Sequence, residues 1–219
     1  WVKGHSDDAM NDLVDRLAVE AARTQQPSAG DHPPEELGPA DAPGSAATRD
    51  PRVPAGHLLA IVGHRPPELG GYDANEISSA VLGTLTELID AKAQLHPDLT
   101  VLTGLGLGAE QLGAEAAERA GVPYVAVLPF PDQERVWPAA SRERYQRLLA
   151  GAAGTVQLQN KQPESKQQAG AALARRDGWL ARNADEAVVV WNGEDPFVGR
   201  QVRSLQDHLG EEEVWVLSP

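Results

Sequence analysis

From residue 57 onward the chain alternates short apolar runs with amphipathic segments, and that alternation narrows the fold more than any other feature. The runs are Leu58-Leu59-Ala60-Ile61-Val62, Thr100-Val101-Leu102-Thr103, Tyr124-Val125-Ala126-Val127-Leu128, Thr155-Val156-Gln157-Leu158, Ala187-Val188-Val189-Val190-Trp191 and Glu213-Val214-Trp215-Val216-Leu217. Runs this short, bounded by Gly and Pro, read as strands, and the most apolar of them as strands buried on both faces. Helices are predicted between them, at about 75–95, 109–120, 139–149, 165–183 and 199–209. Strand–helix alternation of this kind predicts an α/β, Rossmann-like three-layer sandwich with a mostly parallel sheet, spanning residues 56–219.

The remainder differs in composition. Residues 1–23 read as a strand end, Trp1-Val2-Lys3, followed by an isolated helix whose apolar stripe includes Leu13, Leu17 and Ala21. A lone helix of that length is marginal in water. Residues 24–55 carry Pro27, Pro33, Pro34, Pro39, Pro43, Pro51 and Pro54 without any apolar periodicity. They read as a disordered linker.

Charge and composition exclude several classes. A net charge of −13 argues against a generic grip on nucleic acid backbones, which needs a basic surface. Nucleic acid is therefore not an expected partner, whereas a small anionic ligand held by backbone N–H groups remains open. With no cysteine in the chain, disulfides and thiolate metal sites are excluded. No apolar run approaches the roughly 20 residues of a membrane span. Lys3, His5, Asp7 and Asp8 stand where the apolar core of a signal peptide would lie. The expectation is a soluble cytoplasmic protein that requires no metal or cofactor.

In open parallel sheets, ligands bind beyond the carboxyl ends of the strands. The residues just after each strand are therefore the candidates. They are Gly63-His64-Arg65, then Gly104-Leu105-Gly106-Leu107-Gly108-Ala109-Glu110, then Pro129, then Trp191-Asn192-Gly193. Alternate glycines let the backbone approach a ligand, and the following helix offers free N–H groups and a positive dipole end. The spacing is neither G-x-G-x-x-G nor a P-loop. The competing explanation is a tight turn that needs glycine for packing. Arg65 suits a bidentate phosphate contact, or else pairs with Glu68 or Asp73. His64 and Glu110 are the only nearby pair suited to acid–base catalysis. Glu115 continues the glycine-loop helix. Arg176 shares a helix face with Trp179 and either reaches the pocket or is solvated. Trp137 either covers a base or caps the core.

Several of these blocks are familiar. Ile61-Val62-Gly63-His64-Arg65-Pro66-Pro67-Glu68-Leu69-Gly70-Gly71-Tyr72 resembles the opening of the SLOG superfamily in its YpsA-like branch. Thr103 to Glu115, Val127 to Glu134 with Trp137-Pro138, and Arg175 to Leu180 followed by Asp185 and Val189 to Gly193 resemble its later blocks, in order. The resemblance implies a Rossmann-like domain that binds a nucleotide or nucleotide-derived ligand, in a sensing or regulatory role. It also implies possible self-assembly into a homo-oligomer. The Pro-Gly-Gly-x-Gly-Thr-x-x-Glu signature of the related LOG phosphoribohydrolases is missing, which weakens the alternative of a nucleotide-processing hydrolase. DprA-like binding of single-stranded DNA is unsupported by the acidic charge.

Trp1-Val2-Lys3-Gly4-His5, with Asn11 and Asp15-Arg16-Leu17-Ala18, resembles the C-terminal end of a type 1 ribonuclease H. The resemblance implies that His5 assists proton transfer and that Asp15 helps hold Mg²⁺ in an intact domain. Two-metal hydrolysis needs several converging carboxylates, which this stretch lacks. Ribonuclease H activity is expected only in a longer fusion protein.

Overall fold

The computed structural model describes residues 49–219. Six strands form one sheet: β1 (Leu58–Gly63), β2 (Thr100–Thr103), β3 (Tyr124–Leu128), β4 (Gly154–Gln157), β5 (Glu186–Val190) and β6 (Val214–Leu217). Five helices connect them: α1 (Glu76–Leu95), α2 (Ala109–Ala120), α3 (Ala139–Gly151), α4 (Lys166–Asn183) and α5 (Pro196–Leu209). Every pairing is parallel and the spatial order is β4-β3-β2-β1-β5-β6. The sheet is therefore fully parallel, and the expected Rossmann-like α/β fold is what forms. The chain steps outward from β1 to β4, then returns to the other side of β1 to lay down β5 and β6. That reversal puts the switch point between β1 and β5.

Strand alternation builds two cores. Leu59 and Ile61 of β1, Val101 of β2, Tyr124 and Ala126 of β3 and Val188 of β5 pack with Val81, Leu85, Ile89, Leu112, Tyr145 and Leu148 of α1, α2 and α3. Leu58, Ala60 and Val62, with Leu102, Val125, Val127, Ala187 and Val189, pack with Trp179 and Leu180 of α4 and Val198, Val202 and Leu205 of α5. Successive residues of a strand face opposite sides, so uninterrupted apolar runs are what a sheet covered twice requires.

Local signals fix the ends. Asn75 caps α1: its side chain accepts from Ser78 N–H at 3.0 Å, and its own N–H donates to Ser78 Oγ at 3.0 Å. Asn75→Ala should lower stability by about 1 kcal/mol, read as a shift of the urea midpoint with an unchanged slope. Helix α5 starts at Pro196, three residues before the predicted start. The signal is present in Asp195, whose carboxylate accepts from Phe197 and Val198 N–H, followed by proline at the first helical position.

Residues 49–162 and 172–219 make up this α/β unit, and residues 163–171 group separately from it. Within 163–171, Gln168 N–H donates to Ser165 Oγ at 3.2 Å. The resemblance of Trp1 to Ala18 to ribonuclease H, with His5 and Asp15, lies outside the described residues, as does most of the linker. The last linker residues are described and are tied to the α/β unit. Asp50 accepts from Trp179 Nε1 at 2.9 Å and donates its N–H to Asn183 Oδ1 at 2.7 Å, and Arg49 pairs with Asp185.

At the amino ends of the strands, Glu186 is 5% exposed and faces Lys92 of α1, His57, His96 and Trp215. Burial pushes its carboxyl up. The ion pair with Lys92 and the contact with His57 outweigh burial and leave it below the usual carboxylate range. A depressed carboxylate contributes stability above its unfolded pKa and loses it as pH falls through the folded value. The melting temperature of the wild type, in chelator, should exceed that of Glu186→Gln at pH 7 by more than at pH 3. Parallel curves would contradict this.

Candidate functional site

The carboxyl ends of β1, β2 and β5 meet at the switch point, and His64 joins them. Its N–H donates to Val190 O at 2.9 Å, and its carbonyl accepts from Ala109 N–H at 2.9 Å. Its Nε2 accepts from Asn192 N–H at 2.8 Å. That last bond needs an unprotonated Nε2, so a neutral ring carries its proton on Nδ1. Nδ1 has no partner among the described residues, and the residue is fully buried. His64 thus brings together the Gly63-His64-Arg65 turn, the glycine loop and the Trp191-Asn192-Gly193 turn.

The glycine loop is built around an internal ion pair. Glu110 and Arg176 are 6% and 5% exposed. Arg176 Nη1 and Nη2 donate to the two Glu110 oxygens at 3.1 and 2.9 Å, and Gly106 N–H donates to Glu110 Oε2 at 2.8 Å. Arg176 also donates through Nε and Nη2 to Asp177 Oδ1 at 3.0 and 2.8 Å, and Asp177 Oδ2 accepts from Gln201 at 2.9 Å. Burial would lower the Arg176 pKa, but Glu110 and Asp177 more than offset it, so the guanidinium is held charged. A Cβ at Gly104 would overlap Arg176 Nη1 and stand 2.9 Å from its Cζ. This glycine is needed because the guanidinium passes over it.

Further bonds brace the loop. Thr103 Oγ1 donates to Glu110 O at 2.9 Å and accepts from Leu105 N–H at 3.3 Å. Gln133 Nε2 donates to Gly104 O at 2.8 Å, and Gln111 Nε2 to Leu105 O at 3.4 Å. Gly108 adopts φ +90° where the loop crosses β1, and a Cβ there would overlap His64 O and stand 2.8 Å from Arg65 Cα. Among the described residues, the N–H groups of Leu107 and Gly108 donate to no acceptor. They lie between the braced half of the loop and the first turn of α2, beside Arg65.

The other candidates take definite places. Arg65 Cζ lies 5.7 Å from the centre of the Phe197 ring, and Arg200 Cζ lies at the same distance. Phe197 and Arg200 belong to the first turns of α5, next to the exposed Asn192 and Gly193. Trp191 is half-buried and donates to Asp195 O at 3.1 Å. Pro129 is buried at the end of β3. Glu115 turns away from the cleft to pair with Arg144 and Arg147 of α3 at 2.7 and 2.6 Å. Arg175 is exposed. Trp137 packs edge-on against Tyr145 at 5.5 Å and joins the core. Sequence reasoning misses Thr103, Gln133 and Gln201 as site residues. Their bonds to Glu110 O, Gly104 O and Asp177 Oδ2 cross 7, 29 and 24 positions and so leave no local pattern.

The sequence blocks that meet at this cleft come from β1, β2 with α2, β3 and α4 with β5. A model of the YspA SLOG family matches residues 59–207 and so takes in all of them. The chain belongs to the YspA SLOG family. Relatives include the UPF0398 protein of Lysinibacillus sphaericus strain C3-41, 23% identical over 161 residues, which covers 69% of this chain and 85% of that protein. The UPF0398 protein YpsA of Bacillus subtilis strain 168 is 29% identical over 118 residues. That match covers 49% of this chain and 63% of the relative, less than two thirds of its length. Two solved structures of DNA processing protein A are more distant. The Streptococcus pneumoniae protein has a TM-score of 0.47 and 11% identity, over 73% of this chain and 49% of that one. The Helicobacter pylori protein, described for its single-stranded DNA binding mode, has a TM-score of 0.49 and 14% identity, over 73% and 64%. Among the described residues of this YspA SLOG chain, no helix is long and apolar enough to cross a membrane.

Proposed function

We propose that the cleft at the carboxyl ends of β1, β2 and β5 binds a nucleotide or nucleotide-derived ligand in a sensing or regulatory role. The carrying observation is the pair of undonated N–H groups at Leu107 and Gly108, held beside Arg65 by the Ala109 N–H to His64 O bond. Backbone donors at a helix start, next to the Arg65 backbone, suit a phosphate. The same loop already holds one carboxylate, because Gly106 N–H donates to Glu110. The exposed Asn192-Gly193 turn and the half-buried Phe197 leave the side toward α5 for the rest of the ligand. Membership of the SLOG family carries the same expectation.

Binding is favoured over turnover. Glu110 accepts from Arg176 and Gly106, and the His64 ring is fully buried with its Nε2 engaged. Neither is positioned to exchange a proton with a ligand in this arrangement. Isothermal titration of the full chain with AMP, ADP, ATP, NAD and ADP-ribose tests the proposal. Saturable binding of at least one is expected. Absence of binding by all five, to protein with a normal cooperative melt, would overturn it.

A further inference from the structure

At the amino ends of the strands, opposite the cleft, two imidazoles and a carboxylate converge. His57 precedes β1, His96 follows the last turn of α1, and Glu186 opens β5. The two rings are stacked, with centroids 3.7 Å apart and planes 8° from parallel. Both present Nε2 to the same carboxylate oxygen. Glu186 Oε1 lies 3.0 Å from His57 Nε2 and 3.9 Å from His96 Nε2. The other oxygen, Oε2, is taken by Lys92 Nζ and by Trp215 Nε1, the latter at 3.1 Å. The carboxylate is thus divided, with one oxygen for the cation and the indole and one for the imidazoles. One donor atom from each of the three side chains lies within 4.8 Å of the others.

We propose that His57, His96 and Glu186 bind a borderline transition-metal dication of the zinc class. The donor set matches the two-histidine, one-carboxylate sites that such ions favour. The spacing fits as well. Donors about 2.0–2.1 Å from a tetrahedral centre stand about 3.3 Å apart, and the observed 3.0 and 3.9 Å bracket that edge. A ring ligates within its own plane, so the parallel stack must open before both neutral rings reach one ion; His96, with 35% of its side chain exposed, is the ring placed to turn.

The test is calorimetric titration of Zn²⁺ into the full chain, with the melting temperature followed in parallel. One equivalent should bind and raise the melting temperature. In His96→Ala and in His57→Ala the affinity should fall by roughly tenfold to a hundredfold or more, with the melt in chelator little changed for His96→Ala. His5→Ala/His32→Ala removes two other imidazoles of the chain and should keep the full affinity. If His57→Ala folds poorly, His96→Ala, altered at an accessible helix end, decides alone. No Zn²⁺ binding by the wild type, or wild-type affinity in His96→Ala, would overturn the proposal.

Discussion

Arg176→Met is expected to lower the stability of the α/β unit by about 3–5 kcal/mol, the range for removing one partner of a buried ion pair. The substitution leaves the Glu110 carboxylate, 6% exposed, with Gly106 N–H as its only remaining hydrogen-bond donor among the described residues. It also frees Asp177 from two bonds. Glu110→Gln should cost less, since the amide oxygen still accepts from Gly106 and Arg176 keeps Asp177. The double variant Arg176→Met/Glu110→Leu should be less destabilised than the sum of the two single losses, because no charge is left stranded. Urea unfolding of the wild type, the double variant and its two single parents measures this. A loss below about 1 kcal/mol for Arg176→Met, the range of an exposed pair, would show that the pair does not hold the loop.

Gly108→Val carries the second large effect, and it separates binding from packing. The residue sits at φ +90° and ψ −125°, and an added Cβ overlaps the His64 carbonyl oxygen. Strain in that backbone region and the clash together are expected to cost roughly 2–5 kcal/mol. The loop would be pushed off β1, breaking the Ala109 N–H to His64 O bond that sets the proposed phosphate donors beside Arg65. Nucleotide binding should be lost even at temperatures where the variant remains folded. A Gly108→Val protein that binds as the wild type does would place the ligand elsewhere.

The strands are legible in the sequence because burial on both faces leaves unbroken apolar runs, and β1, β2 and β3 match their predicted spans closely. The rule that ligands gather at strand ends also picks out segments that adjoin in space, since Gly63-His64-Arg65 and Gly104–Glu110 do form neighbouring walls. What the sequence does not show is which groups those walls use on each other. Glu110 and Arg176 are 66 positions apart, and nothing local marks one as the partner of the other. The glycine spacing reads as an anion cradle, and at Gly106 the anion held is the chain's own carboxylate. His57, His96 and Glu186 are as widely scattered, and only the return of β5 beside β1 brings them together. Asp195-Pro196 is a readable helix start, a carboxylate acceptor followed by proline at the first helical position, and it moves the start from the predicted Gly199 to Pro196.

Amide-resolved NMR titration of the full chain with ADP-ribose and with AMP tests the central claim most directly. Saturable shifts of the Leu107 and Gly108 amides, with Arg65, Asn192 and Gly193 following, are the predicted result. Saturable shifts confined to other parts of the domain, or none with either ligand, would contradict a phosphate site on the glycine loop.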